Sequence, residues 1–552
     1  MAVVTSLLVA CGGGGDGGGG GGGGGGIVNV TVSGRATYER VPFSSDVRLG
    51  LSYANTSVLP IRDAVVELVQ STGGTLATTT TDSNGDYALT APASTNVFVR
   101  VKAQTRKTTT PTRNIRVLNN TNGNALYVLD SAVFNSGSAN QTRNLLAGSG
   151  WGGTSYTSVR AAAPFAILDT LMTATDFVVA NGSSTVDLPG LDVFWSPENN
   201  ASPCTGELTV CIASGQIEST LYRTASTGGP AAGIYVLGDA NTDTDEYDQH
   251  VLAHEFHHFI EDTISRTDTT GGTHSPDERL DLRLAFSEGF ANAFSAMVLN
   301  DPLYSDSLGS QQSLRFSFNL ESNAALPEGW YNEASIQAIT WDLYDAAADA
   351  SDSVSIGYRP MYEALTGPLR GGEALTSVFP FVDYLKGRVD APVSAINALV
   401  TSQSIHVADE WASTETNDGS VPQALPIYTQ LTLNGGSQPV CGTTLAGTYN
   451  KIGNRLFLRF SVSAARSVTV RATYTPTGST APFSPVADPD LVLYKNGFLA
   501  IAESTMNGEE TLTQTLDAGE YVIEVYEWSH IDPSYSAADR RGITCFNMSV
   551  TG

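Results

Sequence analysis

The chain has 552 residues, which is enough for three or four domains rather than one. Its 29 Lys+Arg against 56 Asp+Glu give a net charge of −27, which disfavours nucleic acids and anionic lipid surfaces as partners. A hydrophobic content of 41% is ample for folded cores, and beyond the N-terminus we find no apolar run near the length of a membrane span. We therefore expect several folded domains, no transmembrane helix and a monomer.

The N-terminus combines an apolar run with a cysteine and a glycine tract. Residues 8–11 read LVAC, and the segment 12–26 is almost pure glycine. LVAC resembles a bacterial lipobox, which implies lipidation of Cys11 and a role for residues 1–26 as signal peptide and flexible tether. The alternative is a secretory signal with a stray cysteine. The resemblance implies an outer-membrane lipoprotein or secreted protein of the bacterial cell envelope, touching the membrane only through its lipid anchor.

Residues 27–141 show short β-type runs separated by turn signals, such as DSNGD at 82–86. This pattern predicts a β-sandwich of the transthyretin-like or immunoglobulin-like kind. PIRDAVVELV and TTTTDSNGDYAL resemble carboxypeptidase-regulatory-like or transthyretin-like modules. Such a resemblance implies a spacer or packing domain.

The central region, residues 142–425, contains HEFHH at 254–258. On a helix, His254 and His258 lie one turn apart on the same face, with Glu255 about 100° further round. Two imidazoles so placed can share Zn²⁺, and the carboxylate can take a proton from water. The alternative is a histidine-rich surface helix, but four of the seven histidines fall within residues 250–258, which argues against it.

We expect this helix to start at a capping box formed by Asp243 and Glu246, which are three residues apart. The strand-like segment GIYVLGD at 233–239 leads directly into it.

A third metal ligand is required. The metzincin pattern fails, because the chain has Glu261 and Ile264 where that pattern needs Gly and His. The best remaining candidate is Glu288, in a second helix-like run at 284–300. Asn292 shares its face and could orient a ligand. The alternative for Glu288 is an ordinary exposed helix carboxylate, which its aromatic neighbours disfavour.

HEFHH followed by SEGFANAFSA resembles the gluzincin zinc metallopeptidases. Residue by residue, the resemblance implies Zn²⁺ bound by His254, His258 and Glu288, with Glu255 as the catalytic base. It also implies a mainly helical α+β zincin-like domain.

The same resemblance implies two further features. One is a side chain that stabilises the oxyanion, for which Tyr331 is our first choice and His274 our second. The other is a strand beside the active helix on which an extended substrate aligns, for which we select residues 234–238.

Residues 430–552 return to β-type runs and predict a second sandwich. DPDLVLYKNG and LDAGEYVIEVYE resemble bacterial pre-peptidase C-terminal domains. Cys441 and Cys545 bracket this module, and a disulfide between them would close it. Cys204 and Cys211 lie in a polar loop and suit a second disulfide better than a metal site, because CxxC spacing is missing.

The predicted fold is therefore multidomain, with a mainly helical α+β zincin-like catalytic domain flanked by two β-sandwich domains. The predicted function is zinc-dependent hydrolysis of peptide bonds in protein or peptide substrates, most simply as an endopeptidase. One alternative is a surface adhesion or carbohydrate-binding lipoprotein with an inactive peptidase-like centre. Another is a zinc hydrolase that cleaves a non-peptide amide.

Overall fold

The computed structural model describes residues 28–322, 326–346, 353–480, 486–504, 508–536 and 539–552. The predicted signal peptide, the glycine tether and the lipidation site Cys11 lie outside these ranges.

The N-terminal part is built from strands. Along β6, alternate residues of NVFVRVKAQT are buried, as expected for a strand with one face on a core. The strands are β1 Asn29–Arg40, β2 Ser57–Pro60, β3 Ala64–Gln70, β4 Thr75–Thr80, β5 Asp86–Pro92, β6 Asn96–Thr105, β7 Ile115–Asn119, β8 Ala125–Leu126, β9 Val128–Asp130, β10 Phe134–Asn135, β11 Gln141–Thr142 and β12 Leu145–Ala147.

The central part mixes helices with short strands. Its helices are α1 Ala163–Phe177, α2 Leu208–Ala213, α3 Gln249–Ile264, α4 Leu282–Leu299, α5 Glu333–Tyr344, α6 Tyr358–Ala364, α7 Val378–Gly387 and α8 Val393–Ser402. Its strands are β13 Leu191–Trp195, β14 Leu221–Arg223, β15 Gly233–Val236, β16 Gly238–Asp239, β17 Asp243–Thr244, β18 Leu303–Leu308 and β19 Leu314–Asn319.

The C-terminal part forms two further sheets, in the orders β20-β22-β27-β24-β25 and β21-β28-β23-β26. The apolar residues of these sheets form a core of their own. The elements are β20 Tyr428–Gln430, β21 Gln438–Gly442, β22 Arg455–Val462, β23 Arg466–Thr475, β24 Pro489–Tyr494, β25 Phe498–Ala502, β26 Glu509–Leu516, β27 Gly519–Glu527, α9 Trp528–Ile531 and β28 Thr544–Thr551.

One sheet crosses the position at which we placed the first domain boundary, between residues 141 and 142. Its strand order is β14-β15-β13-β7-β6-β3-β4, so strands from both sides of that position are hydrogen-bonded neighbours. β13 pairs in parallel with β7 on one side and β15 on the other. The N-terminal strands and the central helices accordingly share one continuous hydrophobic core.

The start of α3 differs from the sequence prediction. The helix begins at Gln249 with Asp248 as its N-terminal neighbour, whereas Asp243 lies in β17. The predicted capping box of Asp243 and Glu246 is therefore wrong. Glu246 is instead fully buried and accepts a 3.0 Å hydrogen bond from Arg160, which is also buried. A local sequence pattern could not predict this pair, because the two residues are 86 positions apart in the chain.

The helical segment Ala163–Gly182 is long and apolar enough to cross a membrane, which our scan of the sequence missed. However, 67% of its most apolar window is buried inside the fold. Phe177, for example, packs edge-on against Phe294 of α4 at 5.8 Å. Burial of this kind is typical of the core helix of a folded domain.

Both predicted disulfides are present. Cys204 is bonded to Cys211, and Cys441 on β21 is bonded to Cys545 on β28, its direct neighbour across the sheet.

Taken together, these elements make the chain a multidomain protein with several β-sandwich-like sheets around a helical centre.

Candidate metal centre

Helices α3 and α4 pack side by side and bring three predicted ligands together. His254 Nε2 lies 3.1 Å from Glu288 Oε2, and His258 Nε2 lies 3.4 Å from the same oxygen. One ligand atom from each of the three residues falls within a group no more than 4.8 Å across. Glu288 is not an exposed helix carboxylate, because only 7% of its surface is accessible.

Hydrogen bonds on the far side of each imidazole fix how it faces the cluster. His254 Nδ1 is 2.8 Å from Asn292 Oδ1, an oxygen that can only accept. Asn292 is itself held by a 3.0 Å bond from its Nδ2 to Gln337 Oε1. The Nδ1–H tautomer is therefore favoured, and it leaves the Nε2 lone pair of His254 facing the cluster.

His258 is oriented by a residue that the sequence argument had set aside. Its Nδ1 lies 3.1 Å from Oε2 of Glu261, which also accepts a 2.6 Å bond from Ser287. The sequence argument treated Glu261 only as the residue that breaks the metzincin pattern, which needs glycine at that position. Its position one turn along α3 from His258 was the signal that could have identified it.

The two Nε2 atoms of His254 and His258 lie only 3.1 Å apart. With both Nδ1–H groups donated outward, two lone pairs face each other at this distance beside the Glu288 carboxylate. Such an arrangement needs a cation or a proton between the atoms. Two imidazole nitrogens, each oriented by a hydrogen bond at its Nδ1, and one carboxylate oxygen match the donor set of a catalytic zinc site, so the residues present fit Zn²⁺.

Glu255 lies beside this cluster and is held by the backbone of β14. Its Oε2 accepts a 2.6 Å hydrogen bond from the Tyr222 amide nitrogen. Burial raises the pKa of the Glu255 carboxyl above its ordinary value. A raised pKa makes a carboxylate a better proton acceptor.

This contact changes which strand borders the site. β15 was our candidate for the substrate-aligning strand, but it is paired on both sides, with β13 and with β14. The expectation for residues 234–238 is therefore wrong, because an enclosed strand has no free backbone groups to offer. β14, at the end of the sheet, is the strand whose backbone reaches Glu255.

His274 reaches the cluster from the loop between α3 and α4. Its Nε2 lies 3.2 Å from Glu288 Oε2, and its Nδ1 lies 2.6 Å from Glu333 Oε2. Burial acts to lower the pKa of His274, but the charge of Glu288 outweighs it and raises the pKa to about 11. Glu333 was missed by the sequence argument, because its link to His274 spans 59 residues.

A close helix contact brings Glu333 to this position. Gly289 of α4 faces the start of α5, where a Cβ atom would lie 2.5 Å from the carbonyl oxygen of Glu333. Only glycine allows the two helices to approach this closely. The same α4 turn therefore carries Glu288, a predicted ligand, and makes room for Glu333, the partner of His274.

Tyr331 is not brought to the centre. Its hydroxyl donates a 2.8 Å hydrogen bond to the Glu328 carbonyl and lies 3.1 Å from Asn417 Oδ1, and its ring is buried. We expected it to face the site because it precedes α5 directly. The chain turns between Tyr331 and Glu333, so the glutamate faces the cluster and the tyrosine faces the opposite side.

The charges of the cluster reinforce one another. Burial acts to raise the pKa of Glu288, but the positive charge of His274 acts against it, and the pKa lies well below its ordinary value. A cavity of about 300 Å³ opens onto this group, and its lining includes His254, Glu255 and His274. The carboxylate is thus ionised, and its neighbours His254 and His274 face a cleft.

Comparison with known proteins agrees with part of this picture. Residues 192–364 match the family described as the Mycolysin C-terminal domain. The matched segment includes the HEFHH helix, Glu288, His274 and Glu333. Domains of this family are found in peptidases, so the chain carries a peptidase-associated region. None of the curated proteins matches the chain significantly.

Three solved structures are similar to about a fifth of the chain. The pre-peptidase C-terminal domain of a collagenase from Bacillus anthracis is 13% identical, with a TM-score of 0.15, covering 22% of this chain and 93% of that one. CorA, a surface-associated copper-binding protein of Methylomicrobium album BG8, is 9% identical, with a TM-score of 0.16 and coverages of 22% and 97%. PliG, a periplasmic lysozyme inhibitor of Aeromonas hydrophila, is 11% identical, with a TM-score of 0.13 and coverages of 22% and 96%.

Proposed function

We propose that the protein is a zinc-dependent metallopeptidase of the gluzincin type. The observation that carries the proposal is the meeting of His254, His258 and Glu288 at one point, with Glu255 beside it. Zn²⁺ held there would supply a Lewis acid that polarises a peptide carbonyl and acidifies a water molecule.

The protein's own side chains then have separate tasks. Glu255, with its raised pKa, accepts the proton of the attacking water and passes it to the leaving amine. His274 donates a hydrogen bond to the oxyanion that develops on the carbonyl, and Glu333 keeps its ring oriented through Nδ1. This assigns the oxyanion role to our second choice rather than to Tyr331.

The substrate we propose is an extended protein or peptide segment, cleaved internally. β14 ends its sheet beside Glu255, and extended peptides bind to such strands through backbone hydrogen bonds. We further propose a monomeric enzyme in the bacterial cell envelope, secreted or anchored by lipid at Cys11. The disulfides support this location, because they persist in oxidising compartments.

The test uses metal analysis and peptide hydrolysis on the full chain and three variants. We expect one zinc per chain in the unaltered protein and in Glu255→Gln, with hydrolysis lowered about 10²–10⁴-fold in the latter. His258→Ala should lose both zinc and hydrolysis. The matched control is His406→Ala, because the His406 side chain is 47% exposed and pairs with Glu415 instead.

Two results would count against the proposal. An unaltered protein without zinc would favour the adhesion or carbohydrate-binding alternative with an inactive centre. Zinc binding with hydrolysis of small amides but of no peptide would favour the non-peptide hydrolase.

A further inference from the structure

The C-terminal sandwich has an edge strand that exposes apolar side chains. β25 ends the five-stranded sheet of this sandwich and pairs only with β24 among the described strands. Phe498 on this strand is 65% exposed, Leu499 is 41% exposed and Ile501 is 45% exposed. Apolar side chains beside unpaired backbone groups can pair with another extended chain, and folded proteins usually protect their edges against this.

The other sheet of the same sandwich shows such protection at both of its ends, which are β21 and β26. β21 contains Pro439, which lacks the backbone N–H that strand pairing uses. On β26 the threonines Thr511, Thr513 and Thr515 are exposed, whereas Leu512 between them is buried. The apolar surface of β25 therefore departs from the pattern of its own domain.

A β-bulge brings two of the apolar side chains to one face of the sheet. The register of β24 and β25 shifts beside Tyr494, so that Tyr494 lies opposite Phe498 and Val492 lies opposite Ile501. Val492 and Tyr494 are two residues apart and therefore share a face. Their partners Phe498 and Ile501 lie on the same face, and we call this pair the apolar strip.

The face that carries the apolar strip also packs against the central helices. Val492 lies opposite Glu524 of β27, and Glu524 accepts a 2.8 Å hydrogen bond from Arg283 of α4. The turn before β25 is anchored as well, because Asn496 Nδ2 donates a 3.1 Å hydrogen bond to the Gly372 carbonyl. The apolar strip thus continues the face through which the sandwich contacts the central region.

The charge around the apolar strip indicates what kind of chain would bind there. Glu503 follows β25 directly and is exposed. Its carboxylate lies 3.5 Å from the Tyr526 hydroxyl and forms no ion pair with a Lys or Arg of the described ranges. The whole chain carries a net charge of −27, which disfavours the approach of a second copy and favours that of a basic segment.

We propose that β25 binds an extended apolar segment of the protein substrate that is flanked by Lys or Arg. The segment would add to the sheet as a further strand through backbone hydrogen bonds, with apolar side chains on the apolar strip and a cation beside Glu503. β25 contributes nothing to the lining of the cavity beside Glu255, so this docking strand lies outside the cleft. The proposal rests on the proposed function, because it takes the bound chain to be a substrate.

The first experiment measures hydrogen exchange in the full-length Glu255→Gln variant, which should hold zinc without cleaving the probe. The probe is a short fluorescein-labelled peptide in which valine and phenylalanine alternate with threonine between two terminal lysines. We expect the outward-facing backbone amides of residues 498–502 to exchange more slowly when the peptide is bound, because strand pairing shields them from water.

Fluorescence polarisation of the same peptide measures its affinity. Ile501→Lys in the Glu255→Gln background should lower the affinity about tenfold or more, because a lysine on an edge strand opposes pairing. The matched control is Thr515→Lys, which puts the same charge on the edge strand β26 and should leave binding unchanged. A peptide with glutamates in place of its lysines should bind more weakly, since Glu503 would repel it.

Two results would overturn the proposal. One is peptide binding, or its absence, with unchanged exchange over residues 498–502. The other is a dimer in sedimentation that Ile501→Lys converts to a monomer, which would assign the apolar strip to a second copy of the chain.

Failure of this proposal is distinguishable from failure of the zinc proposal. In the zinc-loaded protein, Ile501→Lys should raise KM for an unfolded protein while kcat and the KM of a short peptide that fills only the cleft stay unchanged. An unaltered protein that hydrolyses no peptide would refute the proposed function, and exchange over residues 498–502 would still test the docking strand. Hydrolysis without protection of these residues would refute the docking strand alone.

Discussion

Arg283, at the start of α4, donates a 2.8 Å hydrogen bond to Glu524 on β27, and each side chain is only 1% exposed. Arg283 also bonds Asp281, which caps the same helix, and Arg455 bonds the other oxygen of Glu524. The C-terminal sandwich is thus joined by buried charges to the helix that carries Glu288. It is part of the structural support of the candidate site rather than an appended module.

Arg283→Met should destabilise the protein by about 3–5 kcal/mol, because it leaves Glu524 buried with one cation fewer. Denaturant unfolding of the full chain measures this change. The control is Arg471→Gln, which removes an ion pair with Glu509 on the surface and should change the stability little. Equal losses of unfolding free energy in Arg283→Met and Arg471→Gln would show that the buried ion pair does not hold the C-terminal sandwich to α4.

The same network predicts how stability depends on pH. Burial acts to raise the pKa of Glu524, but the charges of Arg283 and Arg455 outweigh it and lower the pKa to about 2, against an ordinary value of 4.5. A carboxyl with a depressed folded-state pKa stabilises the fold above its unfolded pKa. This contribution is lost as the pH falls from 4.5 towards 2. Unfolding free energy measured across that window should fall more steeply for the unaltered protein than for Glu524→Gln.

Asn292→Ala should weaken zinc binding by about 10–100-fold, because Nδ1 of His254 loses the oxygen that fixes its tautomer. Competition with a chelator measures the affinity. Ser295→Ala is the control, since this buried residue on the same helix bonds only the Asn292 carbonyl. Unchanged affinity in Asn292→Ala would mean that the imidazole is oriented by packing alone.

His274→Ala should lower kcat by about 10²–10³-fold while zinc stays bound, because the oxyanion loses a hydrogen-bond donor. Glu333→Gln should have a smaller effect in the same direction, since Glu333 acts only through Nδ1 of His274. Steady-state kinetics combined with metal analysis separates the two roles. Loss of zinc in His274→Ala would instead make His274 a metal ligand.

Much of the site followed from local sequence patterns. The helical repeat placed His254 and His258 on one face, and the next helical run offered Glu288 and Asn292 at the right spacing. Counting cysteines also predicted both disulfides, which are present. His254, His258 and Glu288 do meet in the structure, and periodicity could predict the shared face because a helix fixes which side chains lie together over a few turns.

The sequence by itself therefore determined which two histidines share a helix face, the cysteine pairs and the alternation of strand-rich and helix-rich regions. Only the tertiary structure decided that His274 and Glu333 face the cleft while Tyr331 does not, that β14 rather than β15 borders the site, and that Asp306 lies beside Asp243 and Asp245. The physical reason is the separation along the chain between the residues that make contact. Periodicity governs contacts within one element, whereas sheet order, helix approach and the pairing of buried charges depend on chain segments tens to hundreds of residues apart.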